Sequence, residues 1–265
     1  MNIGFPDEVQ RFLDRNRHAE HICDRLLAKS LQVFREDHQY SLKAAEVISF
    51  GLLLSAQLTF QEVVTLAANG FGPGAQARLR TMYEFVALAA HFIRRPEDAE
   101  KFIRFQRVEE TKELLRAAEL YATNDDAATV HRLRERLSHL ERELQKLEAR
   151  FGKSFRRSWH DGFEAISKNL GWQHHFFYDY LLPNRYVHAS PRQLEKRISN
   201  EEQLYFEAGP DFDAADESFR GALTLLALSL AVADDLLKLK MHGDLEEMTQ
   251  GLIAAYKGKP NKNWI

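Results

Sequence analysis

Between Val130 and Phe151 the apolar residues Val130, Leu133, Leu137, Leu140, Leu144, Leu147 and Phe151 recur at alternating steps of three and four. That spacing draws one stripe along a helix, and a strand, whose side chains alternate with a period of two, has no use for it. A stripe of this kind needs a second helix to cover it. Residues 97–121, which carry Phe105, Val108 and Leu115, are the simpler partner, because the Asn124-Asp125-Asp126 turn between the arms is short. The same helix of a second subunit is the alternative. The expected element is a protruding helical hairpin over about residues 97–150.

The rest of the chain repeats the helical theme. Pro6 and Asp7 suit a helix start, and a helix over residues 6–37 places Val9, Phe12, Leu13, Ile22, Leu26 and Val33 on its inner face. Residues 42–69 are apolar on most sides and stop at Gly70, as a central helix does. After the Gly70-Phe71-Gly72-Pro73-Gly74 breaker a helix runs over 75–94 and ends before Pro96. Further helices are expected over 163–170, 172–189, 213–241 and 244–256. Residues 203–208, with Leu204 and Phe206 alternating, are the one strand candidate. The fold class is therefore all-α: one helical domain over 1–265, a multi-helix bundle with a coiled-coil-like hairpin and a loose basic tail at 257–265.

With 45% apolar and 28% charged residues over 265 positions, the chain can bury a sizeable core. A net charge of −3 argues against a uniformly basic nucleic-acid surface, so any such contact has to be a local patch. Cys23 is the single cysteine, which excludes an intrachain disulfide framework and a multi-thiolate metal site and fits a cytoplasmic setting. The first 17 residues, interrupted by Asp7, Glu8 and Arg11, do not read as a signal peptide. The apolar runs 47–60 and 222–233 are shorter than the roughly 20 residues of a membrane span. They read as buried helices, and no membrane partner is expected.

Residues 178–188, Tyr-Asp-Tyr-Leu-Leu-Pro-Asn-Arg-Tyr-Val-His, concentrate polar, aromatic and titratable groups. On a helix Asn184 and His188 share a face, with Arg185 beside them. Metal-free RNA cleavage needs a base for the ribose 2′-hydroxyl and a fixed cation for the phosphate. His188 and Arg185 are those two group types; Asn184 is the positioning amide, and Tyr178, Tyr180 or Tyr186 are rings on which a base can stack. Arg80 and Glu84, four apart, form a second pair that either orients the histidine or ties two helices. Lys153, Arg156 and Arg157, next to Phe155 and Trp159 in a stretch where basic residues outnumber acidic ones, are the phosphate-backbone candidates. His174, His175 and Asp179, with His160-Asp161 and with His18 and His21, hint at metal, but the paired Glu-x-x-His motifs of a di-iron bundle are missing. No metal and no cofactor is expected.

Three motifs carry a family resemblance: residues 75–84 (Ala-Gln-Ala-Arg-Leu-Arg-Thr-Met-Tyr-Glu), Ser158-Trp159-His160, and Tyr186-Val187-His188-Ala189-Ser190 closing a tyrosine-rich helix. Over roughly residues 42–217 the chain resembles an all-helical bacterial family, domain of unknown function five-six-seven-seven. More distantly, it looks similar to the HEPN ribonucleases of toxin–antitoxin and phage-defence systems. That likeness implies a homodimer whose two Arg-Asn-x-x-x-His motifs form one RNA site, and a cognate antitoxin or defence protein as partner. Asn184 and His188 match the motif, whereas Pro183 stands at the arginine position. The implied cation is then Arg185 or Arg80, or else the protein is a helical sensor or partner-binding module that does not cut.

Overall fold

A polar residue pulled inward breaks the first helix in two. In the computed structural model, which describes residues 5–34, 40–122, 127–187, 198–199, 205–206 and 209–257, α1 (Pro6–Asn16) and α2 (Glu20–Val33) are separated by a 3-10 turn at Arg17–Ala19. The buried Asn16 amide donates to the Phe12 carbonyl at 3.1 Å and to Asp216 at 2.7 Å. A side chain that bonds its own preceding turn and a distant helix competes with the straight helical ladder, and the single helix expected over 6–37 is corrected accordingly. Leu13, expected inside, is exposed.

The chain forms two compact units: residues 1–93 with 163–265, and residues 94–162. In the first unit α3 (Ala44–Ala68) and α8 (Phe212–Leu237) pack along each other and hold the core. The interior of α3 presents Leu52, Leu53, Ala56, Phe60, Val63 and Ala67. At 25 residues, α3 is long and apolar enough to cross a membrane, the one such helix among the described residues, although the apolar run inside it is shorter. Its buried face and its packing on α8 are those of a core helix. Beside α8 lies α9 (His242–Tyr256), which reaches α2 through the Arg25–Glu247 and Lys29–Asp244 ion pairs.

The helix α4 (Gly72–Arg94) begins three residues earlier than expected, with Gly72-Pro73-Gly74 as its first turn, where proline costs no hydrogen bond. Gly72 is required there. A Cβ on it would lie 2.3 Å from the Asp211 carbonyl oxygen and 2.7 Å from the Ala214 Cβ, so a side chain would push α4 off the start of α8. Asp211 caps that start by accepting the Ala214 N–H at 3.0 Å.

The second unit is the hairpin. Arms α5 (Pro96–Ala122) and α6 (Ala127–Phe151) run antiparallel, as the ion pairs Arg150–Glu100, Arg107–Glu143 and Arg136–Glu110 register. The intrachain arm is therefore what covers the α6 stripe. Every stripe position is buried or half-buried, and the residues between them face solvent, except the half-buried Glu141, Glu143 and Glu148. Leu115 is corrected: it is 47% exposed, and Leu114 is the half-buried residue of that turn. The hairpin's base closes over Val108, Leu144 and Phe155, with Phe105, Leu147, Phe151 and Trp159 packed around them. The Asn124-Asp125-Asp126 turn lies outside the described residues.

In the first unit α7 (Phe163–Leu170) precedes the segment expected to hold the chemistry. The strand expected over 203–208 is reduced, among the described residues, to Tyr205–Phe206 paired antiparallel with Ile198–Ser199. The tail beyond Lys257 is outside the described residues. The architecture is all-α.

Candidate functional site

The residues after Trp172 do not form the continuous helix expected over 172–189. One α-turn, Gln173–His175, widens into a π-helical turn, Phe176–Leu181, and tightens into a 3-10 turn, Pro183–Tyr186. The hydrogen bonds record the change. Phe176 N–H reaches back four residues to Trp172, Leu182 N–H five to Phe177, and Arg185 N–H three to Leu182. Pro183 has no N–H to continue the ladder, which places the change of winding at that residue. π-turns cost hydrogen-bond geometry and recur at functional sites because they re-aim side chains.

On the α4 side of this segment stand Arg80 and Glu84. Their side chains are about a quarter exposed and paired at 2.9 Å. Arg80 Nη2 also donates to the Tyr180 hydroxyl at 3.0 Å, and its guanidinium carbon lies 4.6 Å from the centre of that ring. Arg80 Nε is buried and has no hydrogen-bond partner among the described residues. Burial holds the Glu84 carboxyl above its ordinary value, and Arg80 opposes that rise. Tyr180 packs against Phe176, Phe163 and Tyr83. The Tyr83 hydroxyl meets the Ser167 hydroxyl, and burial pushes it up to about 12.

The next residue back, Asp179, is buried. Its Oδ2 lies 2.9 Å from His175 Nδ1, and the imidazole keeps 25% of its side-chain surface. Oδ1 abuts α8 at Gly221, where an added Cβ would lie 3.1 Å from that oxygen and 2.8 Å from Leu79. Burial raises the Asp179 pKa, and the hydrogen bond from His175 and the charges of His174 and Arg220 oppose the rise. His174, on the outer side, sits 5.8 Å from the His175 ring and 4.4 Å from the Tyr178 ring.

Of the expected site residues, the structure brings Arg80 and Glu84 together and adds Tyr180 to them. Asn184 is half-buried and Arg185 exposed on the 3-10 turn, and Tyr186 is half-buried. Asn184 stands in a 3-10 turn where an α-helix was expected. His188 lies outside the described residues. In the other unit, Arg156 is held by Glu141 through two bonds of 3.1 and 2.8 Å and by Glu148 at 2.8 Å, and Phe155 is core. Lys153 and Arg157 are exposed. No group of three metal-ligating side chains occurs among the described residues. The His175–Asp179 pair had a signal in the sequence, its i, i+4 spacing, but only as part of a metal hint. Tyr83 and Ser167 had none.

No curated protein and no solved structure matches the chain. The model of the family of unknown function DUF5677 matches residues 46–205, well over half of the 265, and its span takes in the Arg80–Glu84 pair, the hairpin and the π-turn. The chain belongs to that family.

Proposed function

We propose that this protein is a HEPN-like, metal-independent endoribonuclease, working in the cytoplasm as a dimer and serving as a toxin or phage-defence effector. The observation that carries the reading is Arg80 Nε, a buried guanidinium N–H with no acceptor among the described residues, on a side chain already oriented by Glu84 and Tyr180. A buried donor without a partner costs free energy unless a ligand accepts from it, and a phosphate oxygen is the natural acceptor for a fixed guanidinium. In this reading Arg80 stabilises the pentavalent phosphate, His188 exchanges the 2′-hydroxyl proton, Asn184 positions the substrate and Arg185 adds charge at the rim. Cleavage leaves a 2′,3′-cyclic phosphate and a 5′-hydroxyl.

The test is incubation of a mixed tRNA and mRNA pool with purified protein in EDTA, beside His188→Ala and Arg80→Ala. Cleavage by the parent alone, with cyclic phosphate ends, is the expected result; a parent that leaves the pool intact removes the proposal. A second reading, a helical sensor or partner-binding module without turnover, is favoured by the internal engagement of Arg156 with Glu141 and Glu148. That engagement withdraws Arg156 from a backbone contact and leaves Lys153 and Arg157 as the exposed cations of the stretch. In that case His188→Ala changes stability or partner capture, and there is no cleavage to lose.

A further inference from the structure

We infer that His175, with Nδ1 held by the carboxylate of Asp179, is an acid/base catalyst of the RNA-cleaving site, and that the rings of Trp172, His174 and Tyr178 around it seat a nucleobase. The inference rests on the endoribonuclease reading and adds to it a residue that the reading does not use.

The geometry is that of an oriented imidazole. Asp179 is fixed by its surroundings: Oδ1 abuts the Gly221 position on α8 and Oδ2 takes the His175 ring at 2.9 Å. Against the ionised form of Asp179, which can only accept, the ring carries a proton on Nδ1. Nδ1 is directed at the buried carboxylate, and a quarter of the side-chain surface remains accessible. The charged and titratable groups facing the pair are His174 on its own segment, Tyr83 from α4 and Arg220 from α8. An imidazole tied down only for packing has no need of a carboxylate brought this deep. Burying a charge is costly, and an orienting partner for a proton-transfer group is one use that offsets the cost.

The rings beside it supply the second observation. Trp172 lies 6.5 Å and His174 5.8 Å from the His175 ring, and Tyr178 lies 4.4 Å from His174. His174 is exposed, and Trp172 and Tyr178 are half-buried. Such a cluster matches the flat face of a base, and stacking of this sort is tolerant of sequence.

The step balances without a metal or a co-reactant. His188 takes the 2′-hydroxyl proton, the 2′-oxygen bonds to phosphorus, the P–O5′ bond breaks, and the departing 5′-oxygen takes the Nε2 proton of the His175 imidazolium, which is left as the neutral ring with its proton on Nδ1. Asp179 is a positioning residue in this scheme: it sets the tautomer and touches no substrate atom.

The test uses the full chain and the same RNA pool in EDTA, with the parent, His175→Ala, His175→Ala plus free imidazole, and His175→Gln, each checked for a native melting transition. A loss of about 100-fold in His175→Ala, restored in part by imidazole, is expected. Parent activity retained within about twofold in His175→Ala or His175→Gln overturns the inference and leaves the endoribonuclease reading standing. No cleavage by the parent removes both. Should neither variant fold, 15N spectra of the parent's histidines decide: a neutral His175 ring carrying its proton on Nε2 overturns the inference, and one carrying it on Nδ1, changed in Asp179→Asn, is the expected pattern.

Discussion

The hairpin and the α4–π-turn region spend charge in opposite ways. Along α5 and α6 most charged residues, the buried Asp98 apart, are at the surface and several pair across the arms, as in Arg150–Glu100 and Arg107–Glu143, while a seam of leucines does the packing. Around the π-turn the polar groups go inward: Asp179, Ser167, Arg80 Nε and the Tyr83 hydroxyl all sit in protein. A repetitive seam needs only spacing, and exposed ion pairs contribute little to it. Buried polar groups need partners placed to within a fraction of an ångström, at a cost that a purely structural helix avoids.

That contrast is broken most directly in the seam. Leu144 is 2% exposed between Val108 and Phe155, and Leu144→Ala is expected to cost roughly 2–5 kcal/mol in urea unfolding. A loss below about 1 kcal/mol would mean that the hairpin is held by its ion pairs after all. In the other region Asp179→Ala leaves the His175 Nδ1–H without its acceptor and opens space at Gly221. We expect a cost of about 1–3 kcal/mol, smaller than in the seam, together with a changed His175 tautomer in 15N spectra. An unchanged tautomer would reduce the pair to packing.

Legibility in the sequence follows the same divide. The α6 stripe was readable because spacing alone fixes which side of a helix is covered, and the bounds of α3 and of the hairpin arms fell within a few residues of the expected ones. The break at Asn16 was not readable, since its cause is Asp216, two hundred positions away. Nor was the π-turn: Pro183 announces an interruption but not the widened turn, Phe176–Leu181, that precedes it. Arg80 and Glu84 were paired correctly from i, i+4 spacing, whereas Tyr180 joined them only in three dimensions. Arg156 looked like a free cation because its partners Glu141 and Glu148 lie on another element.

Two carboxylates carry the comparison into pH. Glu84 is held above its ordinary value of 4.5 chiefly by burial, with Arg80 opposing. Its folded form therefore favours the proton, and it contributes stability below the ordinary value that is lost as pH rises through the raised one. Glu110, in the hairpin, is held below 4.5 by hydrogen bonds from Arg136 and Arg107. It contributes stability above the ordinary value that is lost as pH falls through the lowered one. Urea midpoints across the acid range should then diverge: Glu84→Gln removes a loss on raising pH, and Glu110→Gln removes a loss on lowering it. Slopes of the same sign in both variants would break the contrast between the regions.

The smallest effect expected is at Arg150 and Glu100. The pair is well formed, at 2.6 Å, but its side chains are 58% and 40% exposed, so water screens the attraction and both long chains give up rotamer freedom to meet. Arg150→Ala should cost less than about 1 kcal/mol, and the coupling to Glu100 in a double-mutant cycle should be about 0.5 kcal/mol, shrinking with added salt. The same cycle on Arg80 and Glu84 sharpens the comparison, because those side chains are only about a quarter exposed and Tyr180 shares the guanidinium. A larger coupling there, less sensitive to salt, is the expected outcome. Equal couplings with equal salt dependence would place Arg80 among ordinary surface charges, and the phosphate-stabilising role assigned to it would lose its physical basis.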